Sequence, residues 1–222
     1  MSLGRAFSTI FNDPDWVSKL VIVVILVFAS ALMMPFLLAG LLPMSILLGY
    51  MLGIVNNVRD KRKVVLPRWD NYGDLLSRGA GVLVAIFVYN LPMILVGCCF
   101  WLMPSLAGSD SFVQGGLLLI MLCCSLPFVL IHLVLSWTFL AAGMNRYAKG
   151  ETVSIFFQVG QLWEDVSTDW SITLQWLMMA IIVDIVVIII AIIPCIGWVA
   201  APAILYPVHA HLIGQYGQHL PK

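Results

Sequence analysis

One carboxyl group stands where chemistry is expensive. Asp184 interrupts an aliphatic run, with Ala180-Ile181-Ile182-Val183 before it and Ile185-Val186-Val187-Ile188 after it. In the middle of a membrane an ionisable group costs at least about 2.5–3.5 kcal/mol, so it must face protein or water and find a partner. Counting from the turn near Ile196 locates one. Asp184 lies twelve residues before Ile196 (196 − 184) and His209 thirteen after it (209 − 196). In an antiparallel hairpin those positions share a depth. An Asp–His pair can hold a proton or polarise the imidazole, as in transport relays, and it can equally be a structural pair that fixes helix rotation.

His132 is the second feature, close to the middle of another apolar run, with Ser136 one turn on and Asn90 on the preceding run roughly a turn away in depth. Imidazole in a membrane can ligate a haem or a pigment macrocycle. Otherwise it is expected to hydrogen-bond to Asn90, Tyr89 or a backbone carbonyl. His211 sits two residues from His209 and faces away from it on a helix, so the two do not form a metal pair. No histidine joins two carboxylates at zinc or di-iron spacing, and no metal or other cofactor is expected. The doublets Cys98-Cys99 and Cys123-Cys124 are expected as buried small hydrophobes; a disulfide or redox pair between them is conceivable. Phosphate-binding loops, nucleophile elbows, zinc-protease and dinucleotide motifs are all missing, which points away from an enzyme.

Arg59, Lys61, Arg62 and Lys63 form a compact basic patch. It can attract anionic lipid headgroups at about 1 kcal/mol per charge, or simply hold its loop on one side of the membrane. Nucleic-acid binding is not expected from so short a patch at zero net charge. Trp16, Trp69, Tyr72, Trp163 and Trp170 stand beside acidic residues at the ends of apolar runs, where they would serve as interfacial anchors or belong to amphipathic helices in the headgroup layer.

The elements that position these residues follow from composition. Of 222 residues 62% are hydrophobic and 10% charged, and the mean hydropathy is +1.03. That apolar excess has no interior to fill in a chain of this size, so lipid must be its solvent. A span needs about 20 apolar residues. Six are expected, at about 17–38, 42–57, 79–103, 115–142, 172–193 and 199–215, with charged loops at 56–78 and 144–170. The first two are separated by a turn at Ala39 to Pro43, although a kinked or re-entrant element fits the same residues. All eleven Lys and Arg fall on one side of this plan, and the opposite connections carry only Asp110. The positive-inside rule then puts both termini in the cytoplasm of an inner (plasma) membrane, crossed several times. The acidic start, with Asp13 and Asp15, does not resemble a cleaved signal peptide.

Each third of the chain reads as an aromatic, acidic segment, a hairpin and a Gly-bearing exit. The exits are Gly49-Tyr50-Met51-Leu52-Gly53, Ala142 to Tyr147, and Ile213 to Gly217. Loose three-fold repetition of this kind suits a bundle of duplicated hairpins. Small residues at 30, 31, 39, 40, 80, 81, 141–143, 200 and 201 would let helices approach closely.

The Gly49–Gly53 stretch is followed by Leu66-Pro67-Arg68-Trp69-Asp70-Asn71-Tyr72-Gly73-Asp74-Leu75, Arg78-Gly79, Tyr147-Ala148-Lys149-Gly150 and His211 to Tyr216. Together these resemble a bacterial and archaeal polytopic membrane family catalogued as domain of unknown function 4013. The resemblance spans nearly the whole chain and implies a stand-alone multi-span protein. It assigns no activity and no catalytic residues.

The expected fold is all-α: one integral membrane domain over 1–222, with six transmembrane helices in three hairpins plus interfacial amphipathic helices. The expected role is a non-enzymatic scaffold or accessory subunit, bound to the lipid bilayer and to other membrane subunits. A small-solute or proton-coupled transporter built on Asp184 and His209 is the alternative, and a pigment- or haem-binding subunit using His132 is a third.

Overall fold

A computed structural model describes residues 1–36, 38–106 and 111–220. Among them the regular structure is helical throughout. Six helices are long and apolar enough to cross a membrane: α2 (Trp16–Met33), α3 (Leu38–Arg59), α4 (Tyr72–Leu106), α5 (Ser111–Ala148), α7 (Trp170–Ala191) and α8 (Ile196–Gly217). Two short ones, α1 (Leu3–Phe11) and α6 (Val159–Thr168), precede the first and third hairpins. Lipid offers no hydrogen bonds, so apolar runs of this length satisfy their own backbone as helices. The chain is a multi-pass membrane protein.

Helix ends follow local chemistry. Asp169 caps α7 by accepting the Ile172 N–H at 3.2 Å, and Ser2 caps α1 by accepting that of Arg5 at 3.3 Å. The chain leaves α3 through Lys61 in the left-handed region (φ 55°), with the Arg62 N–H on the Asn57 carbonyl at 2.9 Å. Gly150 (φ 102°) follows α5, where a residue without a Cβ suits that turn.

Several boundaries depart from the sequence plan. The first turn is not at 39–43. Helix α2 ends at Met33, a single 3-10 turn covers Met34–Phe36, and Gly40 and Pro43 lie inside α3. Pro35, in the short turn, is therefore the effective breaker. Pro43 is the sixth residue of α3, so its missing N–H forfeits one bond near the helix start. Gly40 serves packing instead: a Cβ there would meet the Ser30 carbonyl oxygen at 2.9 Å. Helices α4 and α5 overrun their predicted limits at both ends, because hydropathy marks oil while a helix continues into water through Asp74, Arg78 and Arg146. The connection carrying Asp110 lies outside the described residues.

The bundle is cyclic. The second helices of the three hairpins, α3, α5 and α8, touch one another at its centre. Each first helix packs on its own partner and on the second helix of a neighbouring hairpin: α4 on α3, α7 on α5, and α2 on α8. The segments before the hairpins repeat the rule, α1 meeting α8, Trp69 meeting Tyr50 of α3, and α6 meeting α5. The tightest crossing is between α3 and α4. There a Cβ on Gly79 would fall 1.6 Å from the Ser45 carbonyl oxygen, and one on Gly49 would fall 2.0 Å from that of Leu75.

Of these contacts the loosest is between α5 and α7. Helix α5 buries Thr138, Ala141, Ala142, Gly143, Met144 and Asn145 near one end, and its most apolar stretch buries nothing. With 35 and 38 residues, α4 and α5 measure about 52 and 57 Å at about 1.5 Å per residue, well beyond α3, α7 and α8 at 22 residues each. The outer half of this hairpin therefore leaves the bundle, and Cys98, Cys99, Cys123 and Cys124 are exposed on it as free thiols rather than buried.

Candidate functional site: a cavity between the hairpins

Where α5 parts from the bundle it leaves a cavity of about 380 Å³ walled by α3, α4, α5, α7 and α8. Its lining follows helical spacing: Met44, Leu48 and Met51 on α3; Ile86, Tyr89, Asn90 and Met93 on α4; Leu133, Ser136, Trp137, Leu140 and Met144 on α5; Leu205, Tyr206, His209 and Ile213 on α8. Trp176 and Asp184 complete it from α7. This size, with mainly apolar walls and a few convergent polar groups, is usual for a small-molecule site.

Asp184 and His209 both face this cavity and meet across the α7–α8 hairpin. The His209 Nε2 lies 2.9 Å from Asp184 Oδ1. The depth count from the 194–197 turn therefore describes the geometry. Their side chains are 32% and 13% exposed, so neither is sealed into protein. Trp137 closes on the imidazole edge-to-face, with ring centroids 5.8 Å apart. Apart from Asp184, every described charged side chain belongs to the end of the bundle where α2, α4 and α7 begin.

His132 and Asn90 line the same cavity but do not meet as expected. The Asn90 amide donates to its own helix, to the Ile86 carbonyl at 2.7 Å. The Tyr89 hydroxyl donates to the Phe156 carbonyl, and Ser136 bonds to Leu133 at 3.2 Å. His132 Nε2 is left buried with no hydrogen-bond partner among the described residues, as is Trp176 Nε1. His132 and Asn90 share the cavity lining without being partners, because Asn90, Tyr89 and Ser136 each bond to a backbone carbonyl. No group of three His, Cys, Asp or Glu side chains that could hold a metal occurs among the described residues. Tyr206, Trp137, Trp176 and the four methionines went unrecognised. Apolar side chains at helical spacing look the same whether they face a cavity or lipid.

The charged end is a second polar assembly. Lys19 and Asp13 form a buried ion pair at 2.7 Å, and the same ammonium donates to the Leu66 carbonyl at 3.1 Å. The Trp69 indole donates to the Lys19 carbonyl at 3.2 Å and stacks on Tyr50 with centroids 3.8 Å apart. Trp69 is thus an internal strut, not an exposed anchor. Arg146 clasps buried Asp165 through two bonds, at 2.5 and 2.9 Å. Arg59 also turns inward, to the Asn145 carbonyl at 3.0 Å and the Asn56 side chain at 2.5 Å, while Lys61, Arg62 and Lys63 stay exposed. Of the other aromatic residues, Tyr72, Trp163 and Trp170 are exposed, and Trp16 packs edge-on against Phe11 at 5.1 Å. The glycines of the three exits sit at close contacts: Gly49 against Leu75 and Gly53 against Pro67, Gly143 against Phe156, Gly214 against Val58 and Gly217 against Asn145.

No curated protein and no solved structure matches the chain. The family described as Protein of unknown function (DUF4013) matches residues 32–196, a stretch holding the Leu66–Leu75 block, Asn90, His132 and Asp184 and ending before His209. By that match, over most of its length, the chain belongs to the DUF4013 family.

Proposed function

We propose that this protein is a non-enzymatic membrane carrier that takes a small, largely apolar solute into the cavity between its hairpins. The Asp184 carboxylate accepts a hydrogen bond from the His209 imidazole when solute is absent. One observation carries this reading: the single described charge away from the charged end lines a cavity and is hydrogen-bonded to an imidazole. A purely structural pair would need no cavity beside it. Mass spectrometry of gently extracted protein tests the idea. Wild-type protein is expected to carry a co-purifying small molecule that Ser136→Trp, which fills the cavity, loses without a change in melting. Equal occupancy in both would contradict it.

The exposed outer half of α4–α5 favours a second reading, an accessory subunit of a larger membrane complex. Trp101 there is 79% exposed. Blue-native electrophoresis would show a larger assembly, and a lone monomer throughout would contradict it. In either role both termini face the cytoplasm, where protease should reach Lys61 and Lys149. The exposed Lys61, Arg62 and Lys63 then meet anionic headgroups.

A further inference from the structure

We propose that the cavity selects lipophilic monocations, such as a quaternary or protonated amine on an apolar body. This rests on the reading of the cavity as a solute site and adds the class of solute. Among the described residues no Lys or Arg side chain lines the cavity, and Asp184 is its one acidic group. The one formally charged side chain of its walls is therefore negative. With little water around it, a carboxylate attracts a cation far more strongly than it would in bulk solvent. An anion of equal size would meet the same carboxylate with only the imidazoles of His132 and His209, and no described Lys or Arg, to offset it.

The walls narrow the class further. A bare metal ion needs six or more oxygen ligands, or several soft or imidazole ligands at once. The described residues provide no such group. The walls offer aromatic rings instead, from Trp137, Trp176 and Tyr206, together with methionine sulfur. Ring faces attract cations by their quadrupole, and ammonium groups with alkyl substituents suit them because they shed water cheaply. Methionine adapts to irregular apolar shapes. The cation must therefore bring its own greasy body, and about 380 Å³ accommodates a compact one.

The Asp184–His209 bond gives the site its resting state. With the cavity empty, the imidazole N–H occupies the carboxylate. A cation seated on Asp184 takes that position, and His209 swings to solute or to Tyr206, one turn away on α8. Solute and imidazole thus compete for one acceptor, so the carboxylate is never left unpaired in the membrane.

Three ligands of one shape test the inference on purified protein in phosphatidylcholine nanodiscs: benzyltrimethylammonium, its neutral isostere neopentylbenzene, and the anion phenylmethanesulfonate. Wild-type protein is expected to bind the cation at least tenfold more tightly than the anion and the neutral compound. Asp184→Asn should lose that preference while still binding neopentylbenzene, which also shows that the variant is folded. Asp184→Glu should keep the preference, and Asp60→Asn, on the exposed loop, should leave it unchanged. Equal binding of cation and neutral isostere to wild type would overturn the inference and leave the cavity reading standing. Anion binding as strong as cation binding would do the same. If none of the three binds, both readings fall.

Discussion

Replacing Lys19 with methionine should destabilise the protein more than any other single charge removal at the charged end. The ammonium lies 2.7 Å from Asp13 and 3.1 Å from the Leu66 carbonyl, and the two charged side chains are only 10% and 2% exposed. Methionine keeps the bulk of the stem and removes both bonds. Asp13 then retains one donor, the Asp15 N–H at 2.9 Å. Breaking a buried pair from one side costs about 3–5 kcal/mol, because the remaining charge stays desolvated. Nearby water at the bundle end argues for the lower figure. Removing both charges is a different matter. In Asp13→Asn with Lys19→Met the stranded carboxylate is gone, and the loss should shrink to about 1–2 kcal/mol, the worth of the hydrogen bonds themselves. The double variant is thus predicted to be more stable than Lys19→Met alone. Denaturation by titrated detergent, followed by circular dichroism, reads both values. A single-variant loss under about 1 kcal/mol, or additive losses in the double variant, would refute the argument.

Other variants probe separate parts of the structure. Gly79→Leu should prevent assembly of the α3–α4 pair, since even a Cβ would lie 1.6 Å from the Ser45 carbonyl oxygen; wild-type monodispersity on size exclusion would contradict this. Arg146→Lys should lose about 1–2 kcal/mol, because an ammonium cannot make the two-pronged contact with Asp165, and unchanged detergent resistance would count against it. His132→Phe should be neutral or stabilising by up to about 1 kcal/mol, since it removes a buried nitrogen that has no partner among the described residues. A marked loss of stability there, or a visible absorption band lost with His132, would instead indicate a bound group at that side chain.

The sequence carried some of this and hid the rest for identifiable reasons. The six spans were legible because lipid forces long apolar runs to be helices, and the Asp184–His209 meeting because one tight turn fixes depth in both arms. Turn position was less so: proline and glycine at 35, 40 and 43 looked alike, and only packing shows that Gly40 is there for Ser30. Arg59 was grouped with its basic neighbours, yet it sits on the last turn of α3 and reaches the Asn145 carbonyl of α5. Trp69 read as an anchor because its stacking partner, Tyr50, is nineteen positions away (69 − 50) on another helix. The cavity itself was not legible. It depends on which hairpins adjoin and on where α5 leaves the others, and neither is written in the order of apolar residues along one helix.

A single space joins His132 to the Asp184–His209 pair, and this is the claim most directly open to test. Xenon enters apolar cavities whatever their charge, even ones of about 150 Å³. With histidine-labelled protein in nanodiscs, xenon pressure should shift the ring nitrogen resonances of His132 and His209 together. It should spare His219 near the C-terminal end, and His211, whose ring is held by Thr9 and Gln215 at 2.9 Å each. If His132 and His209 do not respond, or if all four histidines shift alike, there is no such shared cavity.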